Sequence, residues 1–204
     1  MFIDCTEELQ AVELFAWALL RFPEAPQALR RGLLATLHEE QSHCRLYLER
    51  ISALAPDGAP LGAAPLSGHL WRSLQQVREA PEPLLSFLAG VGLTFEAANL
   101  DHTSHFREVF RLAGDHATAQ VLQRIHEEEQ RHVRFAAKWL RRLGGASDLE
   151  LYQRHAAPPA FGLPKTKGKG FQEAARRAAG LSEEFIEAAK SARSSRQPVE
   201  KGST

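Results

Sequence analysis

Two copies of a Glu-x-x-His motif carry the side chains best suited to chemistry in this sequence. They are Glu40-Gln-Ser-His43 and Glu129-Gln-Arg-His132. Each motif lies in a long helical pattern, and residues three apart share a helix face, so each directs a carboxylate and an imidazole towards one point. Carboxylates and imidazoles are common ligands of transition metals. The sequence therefore predicts two pairs of metal ligands.

A further glutamate precedes each motif at a similar distance, Glu8 before the first copy and Glu96 before the second. The offset between the copies is almost constant, which indicates an internal repeat. Two copies of Glu followed by Glu-x-x-His are the ligand set of a carboxylate-bridged two-metal site in a four-helix bundle. The predicted metal ligands are Glu8, Glu40, His43, Glu96, Glu129 and His132.

The expected turns of two helical hairpins support this register. The first turn is predicted at 21–26, where two prolines interrupt the helical pattern, and the second at 112–115, where Gly114 and Asp115 suit a helix end and a helix start. Each turn lies midway between the upstream glutamate and the Glu-x-x-His pair, so these residues should face one another. Glu13 would shift the first midpoint by one or two residues and is the alternative to Glu8.

The hydrophobic pattern predicts an all-α fold, a four-helix bundle with one long crossover and a C-terminal extension. The main helices are expected at about 4–21, 27–54, 82–112 and 115–143. The ligand glutamates fall on the apolar stripes of these helices. Since a buried carboxylate is costly unless it is paired or binds a metal, this placement supports the site.

The regions outside these helices define the rest of the organisation. The Pro- and Gly-rich segment 55–65, with a short helix near 66–78, supplies the crossover. We expect the bundle to span 1–145 and the extension 146–204, with a short helix near 182–192 and a disordered last dozen residues. Residues 161–170 are expected either to cover one end of the bundle and shape a substrate entrance, with their three lysines attracting an anionic substrate, or to form a surface tail without a role.

Composition excludes several classes of protein. The chain has 204 residues, 44% of them hydrophobic, and no net charge, so no basic field favours nucleic acid or an anionic membrane. The longest early apolar run, residues 14–20, is too short for a membrane span. Cys5 and Cys44 form no CxxC pair, which excludes a zinc finger and a four-cysteine iron site. We expect a cytoplasmic protein without a membrane or nucleic-acid partner. The sequence does not decide whether the chain forms a homodimer.

Several segments resemble a bacterial ferritin-like family of unknown function, whose wider relatives include rubrerythrins and tRNA hydroxylases. The resemblance lies in residues 8–14, in both Glu-x-x-His motifs, in Phe95-Glu-Ala97 and in residues 171–184. It covers most of the chain. It implies a ferritin-like bundle with a di-iron type of centre, but it implies no substrate.

The ligand types predict the chemistry of the site. Four carboxylates and two imidazoles make a hard, anionic site suited to iron or manganese, and their charge balances two divalent ions. Glu40 and Glu129 are expected to bridge the ions, with Glu8 and Glu96 as terminal or chelating ligands and one histidine on each ion. We therefore expect a non-haem dinuclear oxidoreductase with two iron ions, or manganese at one or both positions. It would activate O2 to oxidise or hydroxylate a small organic substrate, with electrons from an external donor.

Other interpretations remain at this stage. A rubrerythrin-like peroxide reductase, an iron-storage protein and a metal-free helical interaction protein are the alternative classes. Five basic residues near the C-terminus leave RNA modification open, although such residues more often form a solvated segment. His126 is expected to lie on the helix surface or beside the ligands, with a role as a seventh ligand as the alternative. Glu13 and Asp101 are expected either to hydrogen-bond the ligand imidazoles or to be exposed. In the run 127–129, only Glu129 has the register to matter, and surface or pocket positions are expected for His38, His102 and His105.

Overall fold

The structure is a computed structural model that describes residues 5–55 and 68–193. Every regular element in these ranges is helical, so the all-α prediction is confirmed. The elements are α1 (Cys5–Arg21), α2 (Gln27–Leu54), α3 (His69–Glu79), α4 (Pro83–Phe87), a π-helical segment (Leu88–Phe95), α5 (Glu96–Leu112), α6 (His116–Gly144), α7 (Asp148–His155), a 3-10 turn (Leu163–Thr166), α8 (Glu173–Ala178) and α9 (Glu183–Ser191).

Two helical hairpins form the centre of the molecule, α1 with α2 and α5 with α6, and they join through α2 against α6. Both turns lie where the sequence predicts them. In the second turn, the Asp115 carboxylate accepts a hydrogen bond from the Thr118 backbone N–H at 3.0 Å and so caps the start of α6. Arg50 near the end of α2 donates to the same carboxylate at 3.0 Å. This contact fixes the end of one hairpin against the turn of the other.

The third long helix is interrupted by the π-helical segment, which the sequence pattern did not indicate. Within it, Gly90 lies against the Phe161 ring and Gly92 against the Ala136 side chain, so closely that a Cβ at either position would clash. The segment ends at Phe95, immediately before Glu96. Because π-helical turns shift the direction of all later side chains, this segment sets where Phe95 and Glu96 point.

The structure describes only the second part of the predicted crossover, from residue 68 onward. Residues 56–67 lie outside the described ranges, and the short helix predicted near 66–78 is observed as α3, which packs against α1 and α4. The stretch Pro83–Leu112 is long and apolar enough by composition to cross a membrane, but 72% of its apolar window is buried inside the protein. Most of this stretch therefore packs inside the protein as a core helix.

The C-terminal segment packs on the bundle and shares its core. Phe161, Phe185 and Ile186 are buried in the same hydrophobic cluster as the bundle helices. The short helix predicted near 182–192 is observed as α9. Most of the last dozen residues, predicted to be disordered, lie outside the described part of the chain, which ends at residue 193.

Asp101 on α5 anchors this segment, and both expectations for it are wrong. It is fully buried, and its two carboxylate oxygens accept hydrogen bonds from Arg176 at 2.6 and 2.9 Å. The backbone N–H groups of Gly168 and Gln172 donate to the same carboxylate at 2.9 and 2.6 Å. Asp101 is therefore neither exposed nor bound to an imidazole, because the C-terminal segment supplies all of these donors.

Candidate metal centre

The six side chains predicted as ligands converge inside the bundle. They form two overlapping groups, and in each group the possible ligand atoms all lie within 4.8 Å of one another. The groups are Glu8, Glu40, His43 and Glu129, and Glu40, Glu96, Glu129 and His132. All of these residues are buried. Because Glu40 and Glu129 belong to both groups, they occupy the middle of the cluster.

Each of the four long helices contributes to this cluster. Glu8 comes from α1 and Glu96 is the first residue of α5, directly after the π-helical segment. The remaining four side chains come in two pairs, one on α2 and one on α6, each at a spacing of three residues on the buried face. The two imidazole rings lie near each other, with a distance of 5.8 Å between the centroids of His43 and His132.

The Nδ1 atom of each imidazole faces the carboxylates. In His43 it lies 3.2 Å from Glu40 Oε2, 3.8 Å from Glu129 Oε1 and 4.0 Å from Glu8 Oε2. In His132 it lies 3.0 Å from Glu40 Oε1, 3.3 Å from Glu129 Oε2 and 3.4 Å from Glu96 Oε2. The two halves therefore have matching surroundings, one for each potential metal ion.

The Nε2 atoms point outward and bind carboxylates on the opposite helix. His43 Nε2 lies 2.8 Å from Glu128 Oε2, and His132 Nε2 lies 2.8 Å from Glu39 Oε2. Since an ionised carboxylate only accepts hydrogen bonds, Nε2 carries a proton, and Nδ1 is the nitrogen that would bind a metal ion, which would replace the proton on Nδ1. Carboxylates in this position orient metal-binding histidines and strengthen them as ligands.

Glu39 and Glu128 are the functional residues that the sequence analysis missed. The expectation that only Glu129 matters in the run 127–129 is wrong, because Glu128 reaches across to the ring of His43. The signal was present in the sequence, since both copies read Glu-Glu-x-x-His. The first glutamate of each pair lies beside the ligand face of its helix, where Glu128 reads as part of a charged surface and the pattern assigns Glu39 no role.

The pKa values of Glu8, Glu96 and His43 are all raised above their ordinary values. Burial raises the pKa of Glu8, and the charges of Glu40 and Glu129 raise it further. Burial also raises the pKa of Glu96, with Glu129 as the next cause. Burial alone would lower the pKa of His43, but hydrogen bonds with Glu128 and Glu40 outweigh it and raise the pKa to about 11. Negative charge is thus in excess, which favours a cation at the centre.

Several buried atoms in the cluster have no hydrogen-bond partner. They are Glu40 Oε1, Glu129 Oε2 and His132 Nδ1. These atoms are close to one another, but their directions do not meet the geometry of a hydrogen bond. Buried polar atoms without partners are costly and rare in proteins. Metal ligation would satisfy all three, so the residues present fit a bound metal ion.

The other residues that the sequence suggested near the site lie outside the two ligand groups. Glu13 is exposed and accepts a hydrogen bond from Trp71 Nε1 at 2.6 Å, so Glu8 and not Glu13 lies in the cluster. His126 is buried, its Nδ1 lies 2.9 Å from Thr103 Oγ1, and burial lowers its pKa. His38 is exposed, His105 is half-buried, and His102 is exposed at the edge of a cavity, as expected for surface or pocket histidines.

That cavity leads from the surface to the cluster. It has a volume of about 120 Å³, and its walls include Glu8, Glu40 and Glu96 at one end and His69, Phe95 and His102 at the other. On the far side of the cluster, an apolar space of about 10 Å³ between Phe15 and Phe87 touches Glu96 and His132. This is about the smallest space that holds one water molecule. In the described part of the chain, the cluster therefore borders a cavity on one side and apolar side chains on the other.

Fold and site together define a helical bundle with a buried cluster of carboxylates and imidazoles that can hold a metal ion. A family model described as "Protein of unknown function (DUF455)" matches residues 5–187, and the chain belongs to this family. No curated protein and no solved structure matches the chain. The ferritin-like relationship stays a prediction from the sequence.

Proposed function

We propose that this protein is a non-haem dinuclear metalloenzyme that uses O2 to oxidise or hydroxylate a small organic substrate. Its metals would be two iron ions, or manganese and iron. The observation that carries the proposal is the pair of ligand groups that share Glu40 and Glu129. Two metal ions held between common carboxylates sit about 3.5–4 Å apart, a spacing suited to binding one small molecule between them.

Each side chain of the cluster has a role in this proposal. Glu40 and Glu129 would hold both ions, since each belongs to both groups. Glu8 would hold the ion on the His43 side, and Glu96 would hold the ion on the His132 side. Four carboxylates balance the charge of two divalent ions, which removes the electrostatic cost of burying them together. When bound, two such ions supply the electrons and the open coordination positions that reduction of O2 requires.

The residues around the ligands control protons and water. Glu128 and Glu39 hold the Nε2 protons of the two imidazoles, so each ring presents Nδ1 to the centre. Asn99 donates from Nδ2 to Glu129 Oε1 at 3.1 Å and fixes the orientation of that carboxylate. Phe15 and Phe87, with ring centroids 5.7 Å apart, close the apolar side against water. Exclusion of water protects a reactive centre from side reactions.

The proposed reaction needs electrons from outside the chain. The sequence contains two cysteines, too few for a four-cysteine iron site. An external donor would therefore reduce the metals before each turnover. The partner that supplies these electrons is part of the proposal.

Metal content and O2 consumption test the proposal together. Protein expressed in iron-supplemented cells is expected to hold about two transition-metal ions per chain, by elemental analysis. The iron-loaded, reduced protein should consume O2, and Glu40→Ala protein prepared in parallel should not. Zinc at one ion per chain, or no metal after reconstitution with ferrous iron, would refute the dinuclear site. Rapid consumption of hydrogen peroxide without O2 consumption would instead favour a peroxide reductase.

A further inference from the structure

A large open cleft lies between α3, the start of α5 and the C-terminal segment. It has a volume of about 890 Å³. Its walls come from α3 and α5 on one side and from residues 159–167 on the other. The C-terminal segment therefore does more than cover the core, since it forms one complete wall of a surface cleft.

The cleft continues into the cavity that reaches the metal-ligand cluster. Four residues line both spaces: His69, Phe95, Ala98 and His102. His69 and Phe95 form an edge-to-face pair with ring centroids 5.8 Å apart. The ring centroids of Phe95 and Phe161 are also 5.8 Å apart. The four shared residues line the passage between the two spaces. The cleft and the cavity together thus extend from the surface to Glu8, Glu40 and Glu96.

The outer cleft carries positive charge. Its walls include three cations, Arg72, Lys165 and Lys167, and one carboxylate, Glu79, which accepts a hydrogen bond from Gln75 at 3.0 Å. Lys167 Nζ donates to the carbonyls of Lys190 and Ala192 at 2.8 and 2.7 Å. Lys165 Nζ likewise donates to the carbonyls of Pro159 and Ala160. Carbonyl groups fix the position of an ammonium group but do not neutralise its charge, so both lysines remain able to attract an anion.

The inner cavity has the opposite character. Glu7, Glu8, Glu40 and Glu96 line it, together with the apolar side chains of Leu14, Leu70 and Val91. An anionic group is therefore favoured at the mouth and disfavoured at depth, where a narrow apolar group fits the walls. A volume of about 120 Å³ holds roughly four groups of the size of a water molecule. That size suits a short alkyl chain and excludes a bulky ring system.

We propose that the cleft binds a small amphiphilic organic anion, with its carboxylate or phosphate at Lys165 and Lys167 and its apolar tail in the passage past Ala98. The binding site stands on the geometry of the two spaces alone. That the bound molecule is the substrate, with its tail end presented to the cluster for oxidation, rests on the proposed function.

Calorimetric titration of the full chain with matched C8 ligands tests the binding. Octanoate and octyl phosphate each carry an anionic head, and comparing them shows whether the site prefers a carboxylate or a phosphate. Octanamide is the neutral control. At least one of the anions should bind about tenfold tighter than the amide, as for a hydrogen bond to a charged group. The Lys165→Gln/Lys167→Gln protein should lose this preference. Lys138→Gln, at an exposed site on α6, should keep it.

The position of the tail has its own test. From butanoate to octanoate, affinity should rise by up to about fourfold for each methylene that is buried. Ala98→Leu should block the passage and flatten this series, while the size-matched control Ala98→Ser should keep it. The wild-type comparison of octanoate with octanamide needs no variant, so it remains decisive even where a variant folds poorly.

The outcomes separate this inference from the proposed function. If neither anion binds better than octanamide, the anion site is refuted, whatever the metal content. If the anions bind as predicted but Ala98→Leu leaves the chain-length series unchanged, the tail lies elsewhere and the passage is refuted. If anion binding and the Ala98 effect are both observed in protein without a dinuclear centre, the binding site stands and the proposed oxidation fails.

Discussion

Glu128 on α6 lies 2.8 Å from Nε2 of His43 on α2. The reciprocal pair, Glu39 on α2 and Nε2 of His132 on α6, is also 2.8 Å apart. Each helix therefore supplies one imidazole and the carboxylate that orients the imidazole of the other helix. Arg131 donates to Glu39 at 2.9 Å and lies 3.4 Å from Glu128, so one guanidinium group links the two carboxylates. This arrangement directs both Nδ1 atoms to the centre before any metal binds.

The Glu128→Gln substitution should weaken metal binding while leaving all six ligands in place. An amide holds the Nε2 proton of His43 less strongly than a carboxylate does. The affinity for ferrous iron should fall by about 10- to 100-fold, the usual effect of removing such a contact. Competition with a coloured chelator measures this change.

Glu127→Gln is the matched control for that experiment. Glu127 is the exposed neighbour of Glu128, and its side chain accepts a hydrogen bond from Gln123 at 2.6 Å on the surface. The Glu127→Gln protein should bind ferrous iron with the same affinity as the wild type. Equal affinities for all three proteins would show that Glu128 has no role in positioning His43.

Substitutions of the bridging and the terminal carboxylates should differ in their effect on stoichiometry. Because Glu40 and Glu129 belong to both ligand groups, changing either to alanine should remove both ions. Glu8→Ala and Glu96→Ala should each weaken one ion and leave the second in place. Glu13→Ala should hold the full complement, since Glu13 lies on the surface. Elemental analysis of the five proteins gives the answer, and retention of two ions by Glu40→Ala would contradict the bridging role.

The sequence predicted the helices of the bundle and the residues of the cluster well because both depend on local periodicity. The second helix was expected at 27–54 and is observed as Gln27–Leu54. The turn at Asp115 was expected from its capping residues, and the carboxylate does cap α6. With the helices and turns placed, the facing positions of Glu8 and Glu96 followed from counting residues.

The features that the sequence did not predict depend on contacts between distant parts of the chain. Arg176 is fully buried, although arginine is usually exposed. Its partner Asp101 lies 75 residues away in the sequence, so no local pattern indicates the pair. Glu128 has the local pattern of a surface residue, and only the packing of α6 on α2 brings it to His43. The π-helical segment Leu88–Phe95 has no periodic signature of its own, since it adds one residue to an otherwise regular helix.

The buried ion pair between Arg176 and Asp101 should be essential for stability. Arg176→Met leaves an uncompensated carboxylate in the core and should lower the free energy of unfolding by about 3–5 kcal/mol. Arg177→Met is the control, because Arg177 is half exposed and pairs with Glu173 and Glu183 on the surface. Urea denaturation should show a large loss for the first variant and little change for the second. A similar loss in both would mean that the buried pair has no special weight.

Tyr152 should give the protein a specific sensitivity to alkaline pH. Its hydroxyl lies 2.8 Å from Thr94 Oγ1 and accepts a hydrogen bond from the Gly162 N–H at 3.1 Å, and burial raises its pKa to about 12 from an ordinary value of 10.0. Because the folded state holds this proton more tightly than the unfolded state, its contribution is present below pH 10 and lost as pH rises towards 12.

Thermal unfolding of wild type and Tyr152→Phe between pH 8 and 12 measures this contribution. The variant should be less stable at pH 8, since it loses both hydrogen bonds. The difference between the two proteins should then shrink as pH rises above 10. A difference that stays constant over the whole range would mean that Tyr152 does not titrate with a raised pKa.

Anomalous diffraction from crystals of the iron-loaded protein tests the dinuclear centre most directly. Difference maps collected on both sides of the iron absorption edge should show two peaks inside the cluster, about 3.5–4 Å apart. One peak should lie beside Nδ1 of His43 and the other beside Nδ1 of His132, with Glu40 and Glu129 between them. A single peak, or iron bound only outside these six side chains, would contradict the dinuclear centre.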